Sequence, residues 1–371
     1  MRFRLPVGLA RLAKGRRLSA NSLSRDPGKR RGSILIVCIF VLVLIMMFTL
    51  SVGYAMRQKF QVLSRLDARQ KLRLIGDAGV QKAIYGVLVS REKPLPFDTL
   101  NQSWSRNEAD FKDVEVGDGS FSVFYDPEPA PGKLQVSGEG GRQFGVIDEE
   151  RKININLIKR PEILLKLFAN VASLTKDEAQ GLVDSIRDWE DEDDDVSGLG
   201  AESRYYQGLS PAYLPRNGKI AALGELQWIK GMKPGIYQRI RPYVTLESSG
   251  LVNLNTASRP VLEALGFLPS VCDRLIAYRA GPDKVEGTAD DQAFDALANV
   301  PQLLANVGYL NDNDRSNWES VVQTGMLTLK SRFFSAQVIA RLGHKPQFLR
   351  VFAVFDETGV IKRWEETFGV S

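Results

Sequence analysis

The sequence predicts an α+β fold in which a long N-terminal helix precedes an antiparallel sheet, with a large all-helical domain inserted into the chain. Three observations predict this fold. An uncharged run of 24 residues begins at Ser33. Short alternating segments separated by turn residues occur before residue 150 and again after residue 326. Between these segments the apolar residues instead follow helical spacing, and several helices begin at proline.

The charge of the chain is unevenly distributed. Residues 1–32 contain ten lysines or arginines and one acid, so this segment carries +9. The remaining chain has 39 basic and 43 acidic residues, a net charge of −4. The basic pI therefore comes from a short arm, and the acidic remainder lacks the positive field that nucleic-acid binding requires.

Residues 33–56 are predicted to form a transmembrane helix. Twenty-four helical residues span about 36 Å, which exceeds the hydrocarbon core of about 30 Å. Three consecutive basic residues, 29–31, stand just before this segment, so residues 1–32 are expected in the cytoplasm and the body outside it. A buried core helix rarely stays uncharged for so long, and a secretory signal has a shorter apolar region before its cleavage site.

Gly32 separates the basic cluster from the apolar run. This boundary resembles the cleavage site of prepilins and pseudopilins, which implies a leader of residues 1–32 that prepilin peptidase removes. The cut would fall between Gly32 and Ser33, followed by methylation of the new N-terminus. Most members of that superfamily have glutamate at the fifth mature position, where this chain has Val37. A carboxylate inside the bilayer costs a few kcal/mol unless it is paired, so Val37 fits a tip subunit with no subunit above it; loss by drift is the alternative.

Residues 57–156 are predicted to contain the rest of the N-terminal helix and the first strands. Apolar residues recur at three- and four-residue steps from Phe60 to Val87, with basic residues between them. Pro94 and Pro96 end the helix. Strand patterns then occur at Ser120–Tyr125, Lys133–Val136 and Gln143–Asp148.

The inserted helical domain is predicted to span residues 157–325, followed by the final strands in residues 326–371. It contains a weak repeat 99 residues apart, in which Asn154-Ile-Asn156 corresponds to Asn253-Leu-Asn255, each before a proline-started helix. We therefore expect two similar units that resemble helix-hairpin-helix modules. The final strands are predicted at Leu327–Phe334, Ala336–Arg341, Phe348–Phe355 and Val360–Glu365.

The strongest polar signal is the run Asp188–Asp195, with seven acids in eight residues. Repulsion among these charges favours a bound cation, and a solvated acidic loop is the alternative. Oxygen ligands without histidine or cysteine indicate Ca²⁺. Four acids fall at positions 1, 3, 5 and 12 of an EF-hand loop count: Asp191, Asp193, Asp195 and Glu202. Val196 stands at position 6, where an EF-hand has glycine, so an EF-hand conformation is not expected.

Several further motifs accompany the acidic run. They are Ile155-Asn156, Asp188-Trp-x-Asp-x-Asp193, Gly200-Ala-Glu-x-x-Tyr-Tyr206, Leu223-x-Glu-Leu226, Lys230-Gly-Met232, Arg241-Pro-Tyr-Val244, Val252-Asn-x-Asn-Thr-Ala257 and Ser331-Arg-Phe-Phe334. With the anchor they cover most of residues 29–365. This set resembles the minor pseudopilin K family of type II secretion systems, in which the glutamate missing at Val37 is also typically absent. The resemblance implies a pilin-like fold and structural Ca²⁺ bound by Asp188, Asp191, Asp193 and Glu202, with Asp194 and Asp195 as further ligands.

A second acidic loop follows residue 280. Its acids predict a weaker calcium site at Asp283, Asp290 and Asp291, again with a solvated loop as the alternative.

By its resemblance the chain is expected to be a tip minor pseudopilin that initiates pseudopilus assembly for protein export across the outer membrane. It would be a single-pass protein of the bacterial inner membrane with a periplasmic body. The expected partners are other minor pseudopilins, prepilin peptidase, the inner-membrane assembly platform and secreted substrates, without nucleic acid. No Ser/His or Cys/His set and no phosphate loop predicts an enzyme.

The sequence leaves two alternatives open. One is a minor pilin of a type IV pilus. The other is a membrane-tethered DNA-binding protein, because residues 252–270 also resemble a helix-hairpin-helix module. Leu268 replaces the second glycine of that hairpin, and the acidic body weakens the second alternative.

Overall fold

The computed structural model describes four stretches of the chain: residues 31–92, 95–127, 141–343 and 345–370, with side chains from residue 34 onward. Nearly all of the predicted leader and the predicted strand Lys133–Val136 lie outside these stretches. The chain divides into two compact units, Met1–Arg65 and Leu66–Ser371.

The first unit contains the start of helix α1 (Arg31–Glu92). By length and composition this helix is able to cross a membrane, and the apolar side chains from Ile34 to Met56 are exposed. Apolar residues cover every face of this part of the helix, so no polar side is available to face water. Thr49 donates its hydroxyl to the carbonyl of Ile45 at 2.7 Å, so even this polar group is satisfied within the helix.

The second unit packs the remainder of α1 against one face of a sheet. Its buried positions recur at helical spacing from Ala68 to Val87 and include the fully buried Leu72. Gly79 allows the closest approach, because a Cβ at this position would stand 2.5 Å from Val338. Burial of this stripe therefore fixes α1 on the sheet.

The sheet is antiparallel, with the order β1-β2-β9-β10-β11; β3 pairs with β2 and β4 pairs with β9. Helix α2 (Glu108–Phe111) precedes it. The strands are β1 (Val114–Val116), β2 (Gly119–Tyr125), β3 (Gln143–Phe144), β4 (Ile147–Asp148), β9 (Phe333–Arg341), β10 (Gln347–Asp356) and β11 (Ile361–Val370).

A helical block lies between β4 and β9 in the chain and has its own hydrophobic core. Its helices are α3 (Pro161–Ala172), α4 (Lys176–Glu190), α5 (Ser203–Gln207), α6 (Pro234–Ile240), α7 (Arg259–Leu265), α8 (Pro269–Arg279), α9 (Val300–Val307) and α10 (Asp312–Val322). Two short parallel pairs accompany them: β5 (Ile153–Asn154) with β6 (Val244–Thr245), and β7 (Val252–Asn253) with β8 (Leu327–Thr328). The predicted α+β class, with a long helix, an antiparallel sheet and a helical block, is confirmed.

The repeat seen in the sequence has a structural counterpart. The Asn156 amide bonds both backbone groups of Ile220, at 2.9 and 3.0 Å. The Asn255 amide does the same with Phe294, at 3.0 and 2.8 Å. Each Asn-x-Asn segment therefore ties the start of its helical unit to a loop that follows much later in the chain.

Two predicted strands are divided in the structure. The predicted strand Gln143–Asp148 contains β3, which pairs with β2, and β4, which pairs with β9. Leu327–Phe334 was expected to be continuous, but β8 pairs within the helical block and β9 begins in the sheet at Phe333. Between them the Ser331 N–H donates to Asp98 at 2.7 Å and its hydroxyl donates to Asp148 at 2.7 Å. These side-chain acceptors replace a strand partner, which ends the ladder at this point.

Candidate metal centre

The acidic loop begins where α4 ends. A capping box between Thr175 and Glu178 starts this helix, and Asp191 is its C-cap. Asp188 lies in the last turn, and the loop returns past it to Glu202, which precedes α5. The helix end and the returning loop therefore bring acids that are 14 residues apart in the chain to one place.

Three carboxylates form a compact group at this place. One oxygen from each of Asp188, Asp191 and Glu202 lies within 4.8 Å of the others. Asp188 is fully buried, Glu202 is 2% exposed and Asp191 is half-buried. Carboxylates so close and so shielded from water repel each other strongly unless a proton or a cation lies between them.

The hydrogen bonds of the group are incomplete. Both Asp188 oxygens accept from the backbone N–H of Ser197, at 3.1 and 3.2 Å. Both oxygens of Glu202 and the Oδ1 of Asp191 are buried without a hydrogen-bond partner in the described part of the chain. Buried acceptors without donors are rare in folded proteins, so these oxygens fit ligands of a cation.

The electrostatics of the site agree with this arrangement. Burial raises the pKa of Glu202 to about 7, with further contributions from the charges of Asp188 and Asp191. Burial and the charge of Asp193 raise the pKa of Asp191. Burial also raises the pKa of the neighbouring Glu190 to about 7. A divalent cation would reverse these shifts, because it stabilises the charged form of each carboxylate.

The donor set selects the class of metal. The three grouped side chains are all carboxylates, and hard oxygen ligands suit Ca²⁺ better than a transition metal. Gly200 makes room for them, since a Cβ at this position would collide with the Asp188 carboxylate. The residues present therefore fit a calcium ion.

The other predicted ligands lie nearby but outside the three-acid group. Asp193, Asp194 and Asp195 are exposed. Asp193 accepts from the backbone N–H of Asp195 at 2.9 Å, and Asp194 accepts from that of Ser203 at 3.2 Å. Their participation in metal binding stays a prediction.

Two residues that the sequence did not single out as site residues stabilise the loop. Lys230 donates to the carbonyls of Leu199 and Gly200, at 3.2 and 2.9 Å. Asp184 accepts from the backbone N–H of Leu199 at 3.0 Å. Lys230 belongs to the Lys-Gly-Met motif, which was the only sequence signal for its importance.

Aromatic packing joins the loop to the helical core. Trp189 and Tyr206 pack edge to face with ring centroids 5.1 Å apart, and Tyr206 also contacts Tyr213 at 5.4 Å. Tyr206 is fully buried. Aromatic contacts therefore pack both ends of the acidic loop against the helical core.

The second acidic loop uses its carboxylates differently. Asp290 accepts from the N–H of Asp283 at 3.0 Å, and Asp283 accepts from the N–H of Val285 at 2.7 Å. Asp291 accepts from the N–H of Gly287 at 2.6 Å. These three acids do not form a compact group of the kind found at Asp188, so a weaker calcium site there stays a prediction.

Comparison with known proteins agrees with the resemblance found in the sequence. A family model described as type II secretion system (T2SS), protein K, matches residues 152–248. Type II secretion system protein K of Aeromonas hydrophila is 34% identical over 177 residues, which cover 45% of this chain and 47% of that protein. The protein of the same name from Pseudomonas aeruginosa is 29% identical over 172 residues, 46% of each chain. The chain thus spans about half the length of these curated relatives.

A solved structure is also similar. It is a chain from the crystal structure of the GspK-GspI-GspJ complex of the type 2 secretion system of enterotoxigenic Escherichia coli. The TM-score is 0.60 at 17% sequence identity, over 84% of this chain and 100% of that chain. At this identity the similarity establishes the fold, and the pilin-like arrangement predicted from the sequence is confirmed.

Proposed function

We propose that this chain belongs to the family of type II secretion system protein K and that it is the minor pseudopilin at the tip of a pseudopilus, where it initiates assembly for protein export across the outer membrane. The observation that carries the proposal is the family match over residues 152–248. This range contains the acidic loop and the first helical unit, which a pilin-like sheet does not require.

The proposed location is the bacterial inner membrane, with a single span and a periplasmic body. The exposed apolar part of α1 supports the span, and the basic residues before it support a cytoplasmic N-terminal side. Prepilin peptidase would cut between Gly32 and Ser33 and leave the helix as the anchor. Mass spectrometry of the mature protein would then detect methylated Ser33 at its N-terminus.

The proposed partners are the other minor pseudopilins, the inner-membrane assembly platform and secreted substrates. The similar solved chain comes from a complex named for GspK, GspI and GspJ, which supports assembly with two other components. Val37 supports the tip position, because a subunit with nothing above it needs no carboxylate to pair with the terminal amine of a subunit already in place.

The proposed calcium ion has a structural role. Asp188, Asp191 and Glu202 would hold it, with Asp193 from the exposed side and Asp194 and Asp195 nearby. The ion would neutralise the loop so that Trp189 and Tyr206 can stay packed on the helical core. No catalytic step is proposed for this site.

The two alternatives have less support. The relatives are type II secretion proteins, which disfavours a type IV pilus. DNA binding would require free backbone N–H groups in the hairpin between α7 and α8. There the Leu268 N–H donates to Asn317 at 2.9 Å, and the Asn317 amide donates to the Gly266 carbonyl at 2.8 Å. A hairpin N–H bonded in this way is not available to a phosphate.

The test is genetic. Deletion of the gene from a bacterium that carries it should leave exported proteins in the periplasm and remove them from the medium. The intact chain should restore export, whereas Gly32→Lys, which alters the proposed cleavage site, should not. Normal export after deletion, together with loss of pili or of DNA uptake, would contradict the proposal.

A further inference from the structure

A second feature of the body is a basic cleft that the proposed function does not use. It has a volume of about 540 Å³ and lies between the sheet face opposite α1 and the helical block. Residues of β2, β9 and β10 form one wall. The turn at Arg241–Tyr243 and the start of α7 form the other. We call this space the basic cleft.

The charge of the basic cleft is strongly one-sided. Seven of its lining side chains are arginine or lysine and two are acidic. This contrasts with the chain after residue 32, which is acidic overall. A concave surface lined by one sign of charge concentrates field lines and attracts ligands of the opposite sign.

Several of these cations are held in place by contacts within the protein. Lys152 pairs with Glu149 at 2.7 Å, and Arg106 donates to the carbonyl of Glu286. The Arg142 guanidinium lies 4.3 Å from the centre of the Phe124 ring. Three of the seven basic side chains are therefore positioned by the fold itself.

Two other arginines of the basic cleft are free to bind a ligand. Arg241 and Arg350 make no ion pair and no side-chain hydrogen bond with any residue that the structure describes, and both are largely exposed. They come from opposite walls, since Arg241 follows α6 and Arg350 lies on β10. Guanidinium groups present a planar fork of donors that matches a carboxylate.

The sheet wall supplies features that suit an extended chain. Phe124, Gln337 and Phe352 are direct cross-strand neighbours on β2, β9 and β10, and they form a row across this face. Arg350 is two residues from Phe352 on the same strand, so it points to the same side. Gln337 offers an amide between two rings, and an amide both donates to and accepts from a peptide backbone.

The hydroxyl of Ser258 on the opposite wall is buried without a hydrogen-bond partner in the described residues. The cationic groups are thus spread over two walls and interleaved with amide, hydroxyl and aromatic groups. A site for a single small anion would instead gather its donors around one point.

We propose that the basic cleft binds an acidic peptide segment of another protein. Arg241 and Arg350 would pair with carboxylates on the two sides of the segment. Gln337 and Ser258 would bond its backbone, and Phe124 and Phe352 would contact its apolar atoms. This assignment does not depend on the secretion role, because it follows from the lining of the basic cleft.

The experiment measures peptide binding by full-length protein in a non-ionic detergent. The probe is a fluorescein-labelled 12-residue peptide in which Asp or Glu alternates with Gly or Ser, and its polarisation is followed during titration. We expect saturable binding that weakens as salt rises. A peptide of the same length with Lys in place of the acids should not bind.

The variants compare charge inside and outside the basic cleft. Arg241→Glu with Arg350→Glu should weaken binding of the acidic peptide at least about tenfold, and Arg241→Gln with Arg350→Gln by a smaller factor. Lys176→Glu with Arg315→Glu makes the same change of net charge at exposed sites away from the basic cleft, and its affinity should stay within about twofold of wild type. All four residues are exposed, so thermal melting should confirm that each variant is folded.

Three results would overturn the proposal. One is equal affinity for the acidic and basic peptides. A second is an equal loss of affinity in the two Glu double variants. The third is full displacement of the peptide by inorganic phosphate, beyond the effect of sodium chloride at matched ionic strength, which would make this a small-anion site.

Discussion

The body contains two groups of buried acids that differ in how their oxygens are satisfied. One group, the buried acid network, comprises Asp98, Asp148, Glu149 and Glu150, where the sheet meets the helical block. The other is the three-acid group Asp188, Asp191 and Glu202. The acids of the buried acid network accept hydrogen bonds from the protein itself. In the three-acid group, several carboxylate oxygens lack a donor among the described residues and fit ligands of a cation.

Asp148 is the most fully satisfied acid of the buried acid network. Its Oδ2 accepts from Asn253 at 3.2 Å, Thr256 at 2.5 Å and Ser331 at 2.7 Å, and its Oδ1 accepts from the Glu150 N–H at 2.8 Å. The donors come from β7, from the segment before α7 and from the segment before β9. A single carboxylate therefore holds the sheet to the helical block.

The rest of the buried acid network is also supplied with donors. Asp98 pairs with Arg91 at 3.0 Å, and Glu149 pairs with Lys152 at 2.7 Å. Glu150 accepts from the backbone N–H groups of Ser249 and Phe333 at 3.1 and 2.9 Å. In the three-acid group, by contrast, both oxygens of Glu202 lack a donor among the described residues. Satisfied acids stabilise a fold, and unsatisfied ones need a ligand.

The largest loss of stability is expected from the substitution Asp148→Ala. This change removes a carboxylate that accepts four hydrogen bonds, so the buried Thr256 and Ser331 hydroxyls and the Glu150 N–H lose this acceptor. Loss of buried partners on this scale costs about 3 kcal/mol or more of the free energy of unfolding. Chemical denaturation of the full-length protein in detergent, followed by circular dichroism, measures it.

Asp148→Asn keeps the shape and one acceptor, so it should cost less than alanine. Asp177→Ala, at an exposed position in the first turn of α4, should cost under about 1 kcal/mol. The loss at Asp148 should be the same in calcium and in chelator. A loss at Asp148 no larger than at Asp177 would contradict the view that the buried acid network joins the two parts.

A smaller effect is expected from removing calcium. An ion at about 100 times its dissociation constant stabilises the folded state by about 2.7 kcal/mol, which for a body of this size is about 5 to 10 °C in melting temperature. We expect this difference between 1 mM CaCl₂ and excess EGTA. Asp191→Ala with Asp193→Ala should melt in calcium as wild type does in EGTA.

The matched control for the calcium experiment is Glu162→Ala with Glu319→Ala, which removes two exposed acids far from the loop in the sequence. It should keep the full response to calcium. If the melting temperature of wild type is the same in calcium and in EGTA, the three-acid group does not bind calcium. The proposal that these acids need a cation, unlike those of the buried acid network, would then be wrong.

The sequence predicted one side of this comparison better than the other. The acidic run was visible because its members are adjacent in the chain, and Glu202 was found by its spacing and by the family resemblance. Their burial was not predictable, since it depends on how the loop returns past α4. That return leaves Asp193, Asp194 and Asp195 exposed and draws Glu202 inside.

The buried acid network was missed altogether. Asp148 and its partners Asn253 and Ser331 are 105 and 183 residues apart in the chain, so no local pattern joins them. The same long-range contacts divided the strand predicted at Leu327–Phe334. Local hydrophobic periodicity predicted the elements, whereas the polar contacts that end them come from tertiary structure.

The smallest effect is expected from pH in the calcium-free protein. The folded state raises the pKa of Glu202 to about 7, chiefly by burial, from an ordinary value of about 4.3. A folded state that binds a proton more tightly than the unfolded chain is stabilised while the proton is bound. This contribution is therefore complete below about pH 4.3 and is lost as the pH rises through about 7.

In EGTA, Glu202→Gln should melt within a few degrees of wild type at pH 5 and about 5 °C above it at pH 8, where the wild-type carboxylate is charged without a partner. Glu192→Gln, at an exposed acid of the same loop, should differ from wild type equally at both pH values. In calcium at pH 8 the order should reverse, with Glu202→Gln below wild type, because the ion replaces the proton and uses the carboxylate as a ligand. If the melting temperature of Glu202→Gln remained above that of wild type in calcium, Glu202 would not be a calcium ligand. The three-acid group would then differ from the buried acid network only in its missing hydrogen-bond donors.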